Sequence, residues 1–310
     1  MGERSIRVFA PASVSNIGPG FDIMGFAIKE PGDEIIIKRR IRGGIKITKI
    51  ISGRTPLPQN PSKNTATVAI NSLFKEYDLK YGIDVQIHKG IGIGSGLGSS
   101  AASAVAGVYA VNKLFNLNLP KIKLLKHALK GEQIASGEIH ADNVAPCLLG
   151  GYVLIRSYNP LDILPIKISE KLYCAILYPL IEIRTSEARK MLGKTVSLKK
   201  SVEQTGNAIG LTIGLLNNDY DLISRSLKDV IVEPKRAKLI PGYYYIKQAA
   251  LDAGAIGCNI SGSGPSIFTL CKSSVDADRV RKCMKMSASK FGFNHKFYIS
   301  KINKIGPKIS

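Results

Sequence analysis

The sequence is short of several things that would each have pointed to a function class. Five cysteines (Cys147, Cys174, Cys258, Cys271, Cys283) are scattered through 310 residues. No two stand as C-x-x-C, which argues against a zinc site or a disulfide framework and for buried free thiols. No run of about 18 apolar residues occurs, so no transmembrane helix is expected. The start, MGERSIRVFAPAS, lacks the apolar region of a signal peptide. Ile6 stands where myristoylation wants Ser or Thr. A cytoplasmic protein without a membrane partner is expected. Acids are scarce: 23 against 44 basic residues, with none after Asp278, for a formal charge of +21. Such a surface attracts anions. Aromatics are not interleaved with the basic clusters at Lys38–Arg42 and Arg279–Lys308 as a base-stacking platform requires, so no nucleic-acid partner is expected. Repeats and low-complexity tracts are also lacking.

What the chain does have is glycine in one place. In Gly90–Ser103, GIGIGSGLGSSAAS, glycines at 90, 92, 94, 96 and 98 run into an apolar stretch from Ala104 to Leu114. Glycine permits positive φ and close approach of another group to the backbone. The change to Ser-Ser-Ala-Ala marks a loop becoming a helix, with Ser99 or Ser100 near its start, and a helix N-terminus offers unpaired N–H groups to phosphate. The even spacing excludes both the Walker loop and the dinucleotide fingerprint, each of which needs another step. Strand, glycine loop and helix together make a phosphate site of a third kind.

Elsewhere the patterns alternate between strand and helix. Strands are expected at Ile6–Pro11, Glu34–Arg39, Ile45–Ile51, Asp84–Lys89, Tyr152–Ser157, Leu172–Tyr178, Ala255–Ile260, Ser266–Leu270 and Lys296–Ile302. Helices are expected at Thr65–Tyr77, Pro120–Ser136, Thr185–Arg189, Ser201–Asn217, Tyr220–Leu227, Tyr243–Ala253 and Asp276–Phe291, with Thr185 near an N-cap. Asn159–Ser169 is the expected linker, dividing the chain into domains 1–160 and 170–310. Asn16 and Asp22 flank the turn at Pro19-Gly20, and Ser261-Gly-Ser-Gly-Pro265 is a second glycine turn.

Four separated segments carry a resemblance: PASVSNIGPGFD, GIGSGLGSSAAS, GEIHADNVAPCLLGG and GCNISGSGPSIFTL. Together they resemble the GHMP kinases, and among them the homoserine kinases. The middle glycine run is common to the whole superfamily, whereas NIGPGFD and HADNVAP are the discriminating segments. The resemblance implies an α+β fold, with an N-terminal ribosomal-S5-domain-2-like domain and a C-terminal ferredoxin-like domain. It also implies a homodimer, and transfer of the γ-phosphoryl group of ATP to the side-chain hydroxyl of L-homoserine, a step towards threonine.

Carried over by matched position, the loop Gly92, Ile93, Gly94, Ser95, Gly96, Leu97, Gly98, Ser99, Ser100, Ala101 and Ala102 would wrap the ATP phosphates. Ser100 and Glu132 would hold Mg2+, with Ser99 competing for the hydroxyl role. Hard oxygens beside phosphate suit that ion. The substrate carboxylate calls for Arg189 and Arg236, with Thr185 one helical turn before Arg189. The ammonium group calls for Asp22 or Asp142, and Asn16 and His140 would add hydrogen bonds. Several relatives place a catalytic Asp where Asn143 falls here, and Asn cannot take a proton at neutral pH. Direct transfer with Asn143 orienting the hydroxyl, and no strong base, is therefore expected. Asp142 as the base is the competing assignment. Adenine contacts are left unassigned, Asn60–Thr67 being the stretch to watch. Other readings of the chain are a shikimate or mevalonate kinase of the same family, or a basic RNA-binding protein.

Overall fold

A computed structural model describes residues 5–53, 55–168 and 171–310. Met1–Arg4, Arg54, Ser169 and Glu170 lie outside the described residues, and with them parts of the expected N-terminal start and linker.

The chain opens on a long antiparallel hairpin, β1 (Ser5–Ile17) and β2 (Gly20–Arg40), paired from Ser5↔Lys38 to Ile17↔Gly20 with register shifts after Pro11 and Ser15. Two short strands with a loop between them were expected here. The loop-like composition of SVSNIGPGFD misleads because Asn16 and Asp22 close a turn inside the hairpin while Ser13 and Ser15 stay within the paired strand. Asn16 and Asp22 both adopt positive φ, 56° and 61°. The Asn16 side-chain oxygen accepts the Asp22 backbone N–H at 2.7 Å, closing the turn within the hairpin. Then come β3 (Gly44–Ile51), α1 (Thr65–Glu76) and β4 (Gly82–His88), with β3 and β4 parallel. Asn64 caps α1 by accepting the Ala66 N–H.

The helices α2 (Ser99–Leu114) and α4 (Ala141–Leu149) lie against this sheet, and α3 (Lys121–Ser136) packs on α1, α2 and α4. Twelve of the residues of α2 are buried, on nearly every face. A helix apolar all round must be central, and small side chains let its neighbours approach closely. The strands β5 (Tyr152–Tyr158) and β6 (Leu161–Ile166) follow. The expected linker is therefore incorrect over 161–166, which pair with β5 from Tyr158↔Leu161 to Tyr152↔Ile166. Asn159-Pro160 is the turn of a hairpin, and the apolar residues of LDILPI supply the strand.

The remainder comprises β7 (Tyr173–Pro179), α5 (Thr185–Lys190), α6 (Leu198–Asn217), α7 (Tyr220–Ser226), α8 (Glu233–Arg236), α9 (Tyr243–Asp252), β8 (Gly257–Ile260), β9 (Ile267–Cys271), α10 (Ser274–Ala288), β10 (His295–Lys301) and β11 (Lys308–Ile309). A seven-stranded sheet has the order β11-β1-β2-β4-β3, with β5 on β2 and β6 on β5, while a four-stranded sheet has the order β10-β7-β9-β8. This is the mixed α+β architecture that was expected, built here on two sheets. The second sheet shares a core with α9 and α10 through Leu177, Ile246, Ile267 and Val280. Ser273 caps α10 by accepting the Asp276 N–H, as S-x-x-D predicts.

Candidate active site

Between the glycine loop and the second sheet lies a cleft of about 340 Å³. One wall is the loop from Lys89 to Gly98. Gly94, Gly96 and Gly98 have φ of 67°, 76° and 66°, so the even spacing read in the sequence marks alternate left-handed residues. A Cβ on Gly96 would sit 2.4 Å from the Ser261 carbonyl oxygen. The second glycine turn is clamped there: Ser261 Oγ donates to Gly96 O at 2.7 Å and the Ser266 N–H to Ser95 O at 3.2 Å. Gly96→Ala is expected to cost about 1–2 kcal/mol in backbone strain alone, and more through the collision. A Tm within 1 °C of wild type would contradict it.

The helix that follows starts at Gly98, in the left-handed region, with no side-chain cap. Ser99 does not cap it; its hydroxyl donates to Ile91 O at 3.2 Å. Ser100, the next residue, lines the cleft. The uncapped N–H groups of a 16-residue helix therefore face the cavity. Ile93, Gly94, Ser95, Gly96, Gly98, Ser99 and Ser100 line it. Leu97, Ala101 and Ala102 are instead core residues, 1% exposed or less. Gly92 is turned to Tyr178, whose hydroxyl would lie 2.3 Å from a Cβ there. The loop is thus part lining and part anchor.

The acceptor end gathers side chains from both sheets. Asn16, Asp22, Glu132, His140, Asn143, Thr185, Arg189 and Arg236 all line the cleft. Phe21 lies between the two arginines, with the guanidinium carbons 5.2 and 5.1 Å from its ring centre. Arg189 donates to Asp22 at 2.8 Å and also pairs with Glu138. Burial works against the Arg189 charge, but Asp22 and Glu138 outweigh it and raise its pKa. Arg236 is 2% exposed and donates to Gly262 O at 2.7 Å. Burial lowers its pKa to about 10, against the pull of Asp22. Thr185 is not the cap of α5, which begins after Arg184 without a side-chain cap; its hydroxyl lies 3.5 Å from Ser263.

Asn143 is fixed from two sides. Its Oδ1 accepts from Ser13 Oγ at 3.0 Å and its Nδ2 donates to Ser15 Oγ at 2.9 Å. Both serines point the same way because they are two apart on β1. The sequence reading missed this pair, although the S-x-S spacing in PASVSN was its visible signal. Also missed was Lys89, whose ammonium is buried against Asp33, Ser99 O (2.6 Å) and Ser103 Oγ (2.8 Å). Asp33 in turn accepts the N–H groups of Gly90 and Ile91, each at 3.1 Å, and so anchors the first turn of the glycine loop.

Asp142 sits behind the cleft and not in its lining, 1% exposed. Burial, reinforced by Asp22 and opposed by His140 and Ser15, pushes its carboxyl up to about 7. His140 is 3.8 Å from Glu132. Burial opposes its charge, yet Glu132, Asp142 and Asp22 together raise its pKa. Because the folded state keeps the Asp142 proton after the unfolded chain has lost it, stability falls as pH rises from 3.8 to about 7. Tm is expected to drop across that interval, and Asp142→Asn to flatten the drop; melts of both proteins at pH 5 and 7 measure it. A variant that keeps the wild-type slope would rule out this assignment.

Comparison with known proteins agrees with this layout. Residues 64–151 match the family described as GHMP kinases N terminal domain, and residues 211–288 match GHMP kinases C terminal. A homoserine kinase of Chlorobium phaeobacteroides (strain BS1) is 46% identical, with 99% of each chain covered. One from Methanococcus vannielii is 41% identical over 87% of this chain and 88% of its own. The crystal structure of homoserine kinase from Cytophaga hutchinsonii superposes with a TM-score of 0.97 at 46% identity, covering 99% of this chain and 97% of that one. The chain belongs to the GHMP kinase family, among the homoserine kinases.

Proposed function

We propose that this protein transfers the γ-phosphoryl group of ATP to the side-chain hydroxyl of L-homoserine, giving ADP and O-phospho-L-homoserine for threonine biosynthesis. The observation that carries the reading is the charge pattern at the acceptor end of the cleft. Two guanidiniums, Arg189 and Arg236, stand over one ring beside the Asp22 carboxylate. That arrangement complements the carboxylate and ammonium of a small amino acid. The uncapped start of α2 lies at the other end, where phosphates would bind.

In this mechanism the loop residues 93–100 receive the triphosphate, and Leu57, Pro58, Asn64 and Thr65 line the part of the cleft left for adenine. Ser100 and Glu132 would hold Mg2+, which would supply positive charge against that developing on the transferring phosphate. The donor set fits: a hydroxyl and a carboxylate face the cavity. No group of three or more His, Cys, Asp or Glu forms a metal cage among the described residues, as suits an ion held chiefly by phosphate and water. Asn143 has one Nδ2 hydrogen beyond that given to Ser15, and it donates this to the acceptor oxygen. The hydroxyl proton is then turned towards the phosphoryl oxygens, and no strong base is needed. Asn16 holds the Asp22 turn. Asp142 supports His140 from behind, and Thr185 borders the amino-acid pocket.

A homodimer, a cytoplasmic location and a division into two domains, the first carried on to Ile166 by β6 and the second starting at residue 170, complete the proposal. They are supported by the family resemblance. An ADP-release assay with homoserine, shikimate and mevalonate tests the activity. Turnover with homoserine alone is expected; turnover with either of the others and none with homoserine would overturn the assignment.

A further inference from the structure

The backbone of Asp22 is held by side chains at both of its polar groups. The residue falls between the registered pairs of β2, which are Ser15↔Gly25 and Ile17↔Gly20 on β1 and end at Met24↔Leu154 on β5. Backbone groups without a ladder partner need another one. The Asp22 N–H donates to Asn16 Oδ1 at 2.7 Å, and its carbonyl accepts from the Tyr158 hydroxyl at 2.6 Å. Between these tethers φ is 61°, a strained left-handed value that persists only where the surroundings impose it. The carboxylate carried by that backbone meets Arg189 at 2.8 Å.

Tyr158 ends β5 and is not part of the cleft lining. Burial, with Asp142 and Asp22, raises its pKa against the opposing Ala141 N–H and Arg189, so the phenol keeps its proton and acts as a donor. We propose that Tyr158 is a positioning residue for the ammonium group of the acceptor: its hydroxyl holds the Asp22 carbonyl, and through it the direction of the Asp22 carboxylate. The proposal rests on the reading of Asp22 as the partner of that ammonium. With Asn16 and Tyr158 both bonded, rotation of the peptide planes on either side of Asp22 is resisted. Without the phenol only the Asn16 tether is left, and φ can relax towards the values that L residues prefer. The carboxylate then swings off the line between Arg189 and the ammonium. That contact is made in the ground state and the transition state alike, so weakening it raises KM and leaves kcat in place.

Steady-state kinetics of Tyr158→Phe, which removes the oxygen and keeps the ring, test the role. KM for homoserine is expected to rise about fivefold, the scale of one neutral hydrogen bond, with kcat, KM for ATP and Tm as in wild type. Asp22→Asn supplies the second arm, because Asn tolerates positive φ but carries no charge. Its own KM for homoserine should be raised. Tyr158→Phe added to Asp22→Asn is expected to raise KM no further, since no carboxylate remains to be aimed. An unchanged KM in Tyr158→Phe overturns the positioning role alone. So does an equal rise in both backgrounds, which would mark a general loosening of the site, or a fall in kcat at constant KM. A wild-type enzyme that turns over homoserine with a KM unaltered by Asp22→Asn overturns the reading of Asp22 and the positioning role with it.

Discussion

Lys89→Met is expected to lower stability by about 3–5 kcal/mol, the usual cost of stranding a buried charge whose partner has been removed. The side chain is 3% exposed and the Asp33 carboxylate is wholly buried. Asp33 would keep its hydrogen bonds from Gly90, Ile91 and Ser103 but lose its only cation among these partners. Chemical denaturation with both Cm and m recorded measures the loss. A drop under 1 kcal/mol would mean that Lys89 is dispensable to the ion pair. Asp33→Asn separates the contributions, since the amide can still accept the two backbone N–H groups while leaving Lys89 charged. The glycine loop begins at those N–H groups, so ATP affinity should weaken in both variants.

Asn143→Ala is expected to reduce kcat about 10²-fold, the scale set by misplacing a reacting group, with KM for homoserine changed only a few-fold. The arginines and Asp22 supply the acceptor's ground-state binding in this scheme, whereas the Asn143 amide acts on the hydroxyl that attacks. If KM alone rose and kcat held, the orienting role would be wrong. Ser15→Ala provides the accompanying measurement: it leaves the amide in place but frees it to rotate, so kcat should fall by less than in Asn143→Ala. A kcat equal to wild type would show that the serine clamp does not position Asn143. A clear acidic limb in the pH–rate profile, abolished by Asp142→Asn, would instead favour Asp142 as base.

How much of this was legible in the sequence depended on distance along the chain. The glycine run was readable because its φ requirements, loop and helix are contiguous. The helices α1, α2 and α3 were readable because apolar spacing repeats within each of them. Asn16 and Asp22 stood out as turn residues, but composition could not show that the Asn16 side chain bonds the Asp22 backbone and keeps the hairpin paired around it. Asn143 was identifiable only through the family motif, and the S-x-S spacing by itself could not name it as the partner of Ser13 and Ser15, which are 130 and 128 residues away. The ion pair of Lys89 with Asp33 spans 56 residues and joins two ordinary charged residues, with no local pattern to mark either one. Asp142 was placed among the ligand contacts by its neighbours in HADN. One step along α4 turns a side chain by about 100°, and that step separates Asn143 in the cleft from Asp142 behind it.

The last strand has a consequence for how the protein is made. The Lys29 N–H is capped by Ser300 Oγ at a separation of 271 residues, Asn303 donates to Ala27 O, and Val8 pairs with Ile309. The first hairpin emerges from the ribosome early but gains these partners only after residues 300–309 have been synthesised. Until then the outer edge of β1 stands open, as unpaired strand edges do in aggregation-prone intermediates. Cells making this protein should therefore need chaperone cover longest for its earliest part.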